Sequence, residues 1–172
     1  MTSSAGAAGN FLAPITQLSE NAFKSVIDID VLGSYNTVKA TLPQLIISAN
    51  KAQKNGTPGP RLLFVSATLH YTGIPLQTHV TAAKAAIDSL SASCALELGP
   101  RGITSNVIAP GAIAGTEGLD RLSRKEDREL SRKANPLGRI GSVKDCADAT
   151  VWLCSDAASY INGTIVVGKF DR

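Results

Sequence analysis

Lys84 and Asp88 stand four residues apart in an alanine-rich stretch, so a helix there puts a cation and a carboxylate on one face. One reading is a solvated ion pair, worth about 0.3–0.5 kcal/mol and in the less favourable order for a helix. The other is an acid that moves a proton beside a cation that holds negative charge; spacing alone does not choose between them. Asp30, close to Asp28, is either a polar helix position or an acid set in an apolar stripe, and a half-buried acid needs a partner. His70 and His79 have no metal-ligand spacing, and no metal site is expected. His79 reads as a packing or surface histidine or as a substrate contact. Cys94, Cys146 and Cys154 are odd in number and lack a CxxC spacing, which suits reduced core thiols in a reducing compartment and unmodified sequons at Asn55 and Asn162.

These residues need elements to position them. Ser19 can cap a helix, and Phe23, Val26, Ile27, Val31, Tyr35, Val38, Leu42, Leu45 and Ile46 recur at three- and four-residue steps. One long helix over 20–52 follows, with Gly33 marking a bend or a close packing contact. After the loop Asn55–Pro60, Leu62 to Val65 form a continuous apolar run, as in a strand covered on both faces. A second helix runs from about Thr78 to Glu97 and ends at Gly99-Pro100-Arg101-Gly102. Ile103–Ala109 is another buried strand, stopped by Pro110-Gly111. Residues 111–123 read as a loop, 124–133 as a charged helix, 142–155 as a helix and Gly163–Val167 as a last strand. Alternating strands and helices argue for an α/β fold with a parallel sheet.

Composition excludes several classes. The chain has 172 residues, 44% apolar and 18% charged, which fits one globular domain. The net charge is only +3, with no basic run and eight aromatics, so a nucleic-acid partner is not expected. No apolar stretch approaches the roughly 18 residues of a membrane span, and the first residues show no signal-peptide pattern. A G-x-G-x-x-G dinucleotide loop is absent from this sequence; Gly6 and Gly9 come nearest, but Ser4 takes the first glycine's place. No strand of its own is expected at the start of the chain.

Several segments in order resemble the short-chain dehydrogenase/reductase family. Ala5-Gly6 is similar to the end of its Asn-Ala-Gly motif, Ile27–Gly33 to the helix carrying its active-site Asn, and Val65-Ser66-Ala67 to the strand end carrying its Ser. Ala83-Lys84-Ala85-Ala86 resembles the end of Tyr-x-x-x-Lys, and Asn106–Gly111 the strand and Pro-Gly turn beside the nicotinamide. Aligned on Lys84, the four active-site positions hold Asp30, Ala67, Val80 and Lys84. Val80 has no proton to give and Ala67 cannot orient a carbonyl, so alcohol–ketone chemistry lacks its acid. That pattern, with Ala8–Leu12, Ser66–Leu69, His79 and Gly115–Gly118, resembles the family's peroxisomal branch that acts on 2,4-dienoyl-CoA thioesters.

The resemblance implies a partial Rossmann-like, doubly wound parallel sheet in which 1–172 is a single incomplete domain. Its first βαβ units, with the glycine-rich loop, and its extreme C-terminal tail are expected to lie outside this sequence, since Val166-Val167 leads to Gly168-Lys169 rather than Asp-Gly-Gly. It implies NADPH-dependent reduction of 2,4-dienoyl-CoA to 3-enoyl-CoA in fatty acid β-oxidation. Lys84, Asp88 and Asp30 would be catalytic: Lys84 on the nicotinamide ribose and favouring an enolate, Asp88 with a water in place of the lost Tyr, and Asp30 holding substrate or water. Gly6, Lys84, Pro110, Gly111, Ala112, Ile113 and Thr116 would bind the cofactor. Asn10, Phe11, Tyr71, His79 and Arg121 would meet the fatty acyl-CoA thioester, with Tyr71 an alternative to the missing Tyr. The family context implies a homo-oligomer and a peroxisomal setting, though the sequence as written carries no Ser-Lys-Leu-type address. Two alternatives stay open: a 3-oxoacyl-type reductase, or a catalytically dead fragment that acts only as a dimerisation partner. A half-sheet of this kind is expected to be unstable alone.

Overall fold

The computed structural model describes residues 2–3, 12–122 and 125–168. In chain order these form strand β1 (Thr2–Ser3), helix α1 (Glu20–Val26), a π-helical turn (Ile27–Leu32), helix α2 (Gly33–Asn55), strand β2 (Arg61–Val65), the short helix α3 (Leu69–Thr72) and helix α4 (Thr78–Leu98). There follow β3 (Thr104–Ala109), β4 (Ile113–Ala114), α5 (Glu117–Leu122), α6 (Lys125–Ala134), β5 (Gly141–Ser142), α7 (Val143–Cys154) and β6 (Ile165–Val167). Strands β1, β2, β3 and β6 lie in that order in one parallel sheet, and β4 pairs with β5 in a separate parallel ladder.

The apolar runs explain the layers, because an extended chain sends successive side chains to opposite faces. Leu62, Phe64 and Val107 pack with Val38, Leu45 and Ala49 of α2 and with Ile87, Cys94 and Leu98 of α4. Leu63 and Ile108, one step out of phase, pack with Leu153 of α7 and with Ala158. The sheet is therefore covered on both faces, as the α/β Rossmann-like reading requires. Two asparagines clasp the segment that leads into β6. Asn162 Oδ1 accepts from the Ser105 amide (2.9 Å) while its Nδ2 donates to the Ala95 carbonyl (3.0 Å). Asn106 Nδ2 donates to the Ile161 carbonyl (2.9 Å) and its Oδ1 accepts from the Thr164 amide (3.0 Å).

Four expectations are corrected. The start of the chain does contribute a strand: Thr2 and Ser3 pair with Leu63 and Phe64. The long helix is interrupted by the π turn and runs on to Asn55. Gly33 follows that turn with ordinary helical angles. The turn resets the helical phase, and Tyr35 of the supposed stripe ends half-exposed while Val38 and Leu45 are buried. Residues 111–123 are not merely a loop. Thr116 Oγ1 accepts from the Leu119 amide (3.3 Å) and donates to the Ile113 carbonyl (2.9 Å), which caps α5 after β4. Finally, only Cys94 is a core thiol; Cys146 is half-buried and Cys154 exposed. On α7 the buried position is Leu153, and the next residue lies about 100° round the helix.

Candidate functional site

The site lies where the C-terminal ends of β2 and β3 meet α3, α4 and the π turn. Backbone bonds tie these ends together. The Ser66 amide donates to the Ile108 carbonyl (2.8 Å) and the Thr68 amide to the Pro110 carbonyl (3.1 Å). The Ser66 hydroxyl donates to the Lys84 carbonyl (3.2 Å), which anchors α4 to the end of β2. The π turn packs on α4, with Val26, Val80 and Ala83 forming a small apolar cluster that Ile27, Val31 and Leu69 join. Val80, where the family's proton-donating Tyr would stand, is therefore a packing residue.

Asp30 sits inside the π turn with no exposed surface. Its Oδ2 lies 3.2 Å from Lys84 Nζ, and the lysine side chain is 13% exposed. A π turn is a local device often found at functional positions, and here it turns an acid inward to meet a cation on α4. A buried charge needs such a partner. Lys84 and Asp88 share a helix face, but neither pairs with the other. Asp88 is also buried, and its Oδ2 takes His70 Nε2 at 2.7 Å and the Tyr71 hydroxyl at 3.0 Å. The surface ion pair that spacing allowed is replaced by two separate buried contacts. Burial and the Asp88 carboxylate beside it push the Tyr71 phenol up to about 12.

Among the other expected site residues, Pro110, Gly111, Ala112 and Ile113 line an open pocket of about 180 Å³ together with Asn135, Leu137 and Gly141. The turn is fixed from two sides, by Thr68 at the Pro110 carbonyl and by the Gly141 amide at the Ala112 carbonyl (3.1 Å). Thr116 spends its hydroxyl on the α5 cap. Tyr71 is half-exposed and His79 is fully buried. Gly6, Asn10 and Phe11 lie outside the described residues, as does the side chain of Arg121, whose backbone belongs to α5. Among the described residues there is no cluster of potential metal ligands, and no helix is long and apolar enough to cross a membrane.

Sequence reasoning gave His70 no role and missed the π turn. A signal for the first existed in retrospect: His70-Tyr71 follows a strand end by a few residues, where side chains gather at the carboxyl edge of a parallel sheet. The π turn has no comparable signal.

Burial holds the His79 imidazole below its ordinary value of 6.5. Below that pH the unfolded chain binds a proton that the folded chain resists, so stability rises with pH there. The contribution is complete above 6.5 and is lost as pH falls beneath it. His79→Asn is expected to flatten the pH dependence of the urea midpoint between about pH 7 and pH 5, whatever its effect at neutral pH. An unchanged slope would mean that His79 titrates alike in both states.

The chain matches the family model described as Enoyl-(Acyl carrier protein) reductase over residues 1–168. It is 55% identical over 163 residues to a Saccharomyces cerevisiae protein named peroxisomal 2,4-dienoyl-CoA reductase, covering 95% of this chain and 52% of that one. It is 41% identical over 162 residues to the Mus musculus protein of the same peroxisomal name, covering 94% and 52%. Among solved structures it resembles a Brucella melitensis 3-ketoacyl-(acyl-carrier-protein) reductase complexed with NADH, with a TM-score of 0.84 and 24% identity over 95% of this chain and 63% of that one. The chain thus spans about half the length of the curated relatives it matches. With the parallel sheet, the Pro-Gly turn and Lys84 in place, the chain belongs to the short-chain dehydrogenase/reductase family.

Proposed function

We propose that this chain forms the substrate side of an NADPH-dependent reductase that converts 2,4-dienoyl-CoA thioesters to 3-enoyl-CoA, in the peroxisomal setting of its named relatives. The observation that carries the reading is the buried Asp30–Lys84 pair beside an apolar Val80. A cation is retained where the family's carbonyl-reducing acid is not. That combination suits a reaction whose intermediate is an enolate rather than an alkoxide.

The residues fit a nicotinamide nucleotide. Lys84 offers ammonium donors to ribose hydroxyls, and the doubly fixed Pro110–Ile113 turn gives a rigid edge for the ring. The cofactor when bound supplies the hydride. Asp30 Oδ2, 3.2 Å from Lys84 Nζ, aims the lysine side chain. Lys84 favours negative charge at the thioester oxygen, and its backbone carbonyl, held by Ser66, fixes the helix that carries it. Asp88, one turn further on α4, belongs to the proton-delivering side. Arg121 suits the phosphates of the CoA moiety. These roles make the 3-oxoacyl alternative weaker, because Val80 and Ala67 carry no acid for a ketone.

The test is NADPH oxidation with 2,4-hexadienoyl-CoA, run on this chain alone and on this chain joined to the remainder of the yeast relative. Turnover that depends on the dienoyl thioester supports the reading. No turnover in either, with both folded, would replace it with a binding role.

A further inference from the structure

Asp145 is a carboxylate that the reductase reading leaves without a task. It stands in the first turn of α7, and its Oδ2 accepts from the Ser142 amide and from the Ser142 hydroxyl, each at 2.7 Å. The same carboxylate takes both ends of the Arg139 fork: Nη1 donates to Oδ2 (2.7 Å) and Nη2 to Oδ1 (2.8 Å). An exposed ion pair ordinarily contributes little, but a two-pronged arginine–carboxylate pair fixes direction as well as distance. These bonds, the arginine's first and then those of Ser142, hold the Asp145 carboxyl well below the usual carboxylate range, so it is charged at neutral pH. The backbone of Arg139 is anchored as well. Asn135 is 9% exposed; its Nδ2 donates to the Arg139 carbonyl (2.6 Å) and its Oδ1 accepts from the Leu137 amide (3.0 Å).

Between these anchors lies Gly141. Arg139 stands two residues before it and Ser142 one after, so a single carboxylate grips the chain on both sides of the glycine. Gly141 in turn donates its amide to the Ala112 carbonyl (3.1 Å) and pairs with Ile113 in the ladder of β4 and β5. The approach is close, since a Cβ on Gly141 would stand 2.6 Å from Ile113 Cδ1. Arg139, Gly141 and Asp145 line the same pocket as Pro110–Ile113. The contacts therefore run from an exposed salt link, through one backbone amide, to the turn proposed to hold the nicotinamide. The neighbouring pair Lys144–Asp148 is of the same chemical kind but stays within α7.

We propose that Arg139 and Asp145 are positioning residues for cofactor binding: their pair holds the Gly141 amide on the Ala112 carbonyl and so keeps the Pro110–Ile113 turn in place for the nicotinamide ring. This rests on the reductase reading. A turn already held has little freedom left to lose when the cofactor arrives, whereas a loosened turn must be ordered at the expense of affinity. The pair has no part in the chemical step, so its loss falls on affinity for NADPH rather than on kcat.

Arg139→Ala removes the fork. Asp145→Asn keeps an oxygen for the Ser142 amide but can no longer receive the fork on two oxygens. In the joined chain of the turnover test, each is expected to raise the KM for NADPH about tenfold, while kcat and the KM for 2,4-hexadienoyl-CoA stay within about twofold. The double variant should be no worse than either single one, because both break the same link. Lys144→Met removes the neighbouring pair and should leave the NADPH KM unchanged. Plain loss of stability would instead lower kcat through the amount of folded enzyme and leave both KM values alone. An NADPH KM within about twofold of the parent's in both Arg139→Ala and Asp145→Asn overturns the proposal, and so do effects that add in the double variant. If the parent itself does not turn over the dienoyl thioester, the reductase reading fails separately. The brace on the turn is then judged by exchange of the Gly141 amide in this chain. Exchange about tenfold faster in Arg139→Ala and Asp145→Asn, but unchanged in Lys144→Met, supports it; equal rates in all of them overturn it.

Discussion

Lys84→Met is expected to be among the most damaging single substitutions in this chain, and for two separable reasons. The methionine matches the lysine stem in volume, so packing changes little. What changes is Asp30, which loses the cation 3.2 Å from its Oδ2 while keeping no exposed surface. Breaking one side of a buried pair leaves an uncompensated charge and costs about 3–5 kcal/mol. The double variant Lys84→Met/Asp30→Leu removes both charges and is expected to recover most of that loss, because an apolar pair of similar size avoids the desolvation cost altogether. Urea unfolding of the two variants and the parent reads this directly. Turnover should behave differently. Under the reductase reading both variants lose the cation that favours the enolate, so both should fall about 100-fold or more in rate. A double variant as unstable as the single one would mean that the pair is held by something other than charge. A double variant that regains activity with stability would mean that Lys84 serves only the fold.

That dissection shows where sequence reading stops. The strands Arg61–Val65 and Thr104–Ala109 were legible, because uninterrupted apolar runs bounded by turns have one economical solution, a strand covered on both faces. Helix α4 was legible from its alanines and the Gly99–Gly102 stop, and Ser19 from its capping chemistry. Thr116 was harder: a hydroxyl that caps a six-residue helix looks, in one dimension, like one more polar loop residue. The positions proposed as catalytic stand out by type and order, but their partners do not. Lys84 and Asp88 sit on one helix face, and local spacing favours pairing them. The structure instead gives Lys84 to Asp30, 54 positions earlier in the chain, and Asp88 to His70 and Tyr71 on a short helix that periodicity does not reveal. Partners set by the π turn and by the tether from Thr68 to Pro110 are tertiary facts, decided by which backbone groups remain to be satisfied once the sheet has formed.

The register of that sheet yields the second large effect, at a position far from the chemistry. Gly59→Ala is expected to cost about 3 kcal/mol or more, because a Cβ there would run into the backbone carbonyl oxygen of Gly102 and lie 3.0 Å from its carbon. Neither partner is a flexible side chain, so the two segments must separate. They lead directly into β2 and β3, where the Thr104 amide donates to the Pro60 carbonyl (3.2 Å) and Arg61 pairs with Thr104. Gly102→Ala is the informative comparison. Gly102 has φ +76° and open space around its would-be Cβ, so its substitution meets only the left-handed backbone penalty, about 1–2 kcal/mol. Urea midpoints should therefore rank the parent above Gly102→Ala, and Gly102→Ala above Gly59→Ala. The displacement also has a reach. The pairing runs without a break from Arg61–Thr104 to Val65–Ile108, and just beyond it Ser66 and Thr68 hold Ile108 and Pro110. A wedge at the amino ends of the strands should loosen those two bonds, visible as faster amide exchange at Ser66 and Thr68 in Gly59→Ala but not in Gly102→Ala. Equal exchange in the two variants would mean that the strand ends adjust locally, and that the turn proposed to hold the nicotinamide owes its rigidity to the Gly141–Ala112 bond instead.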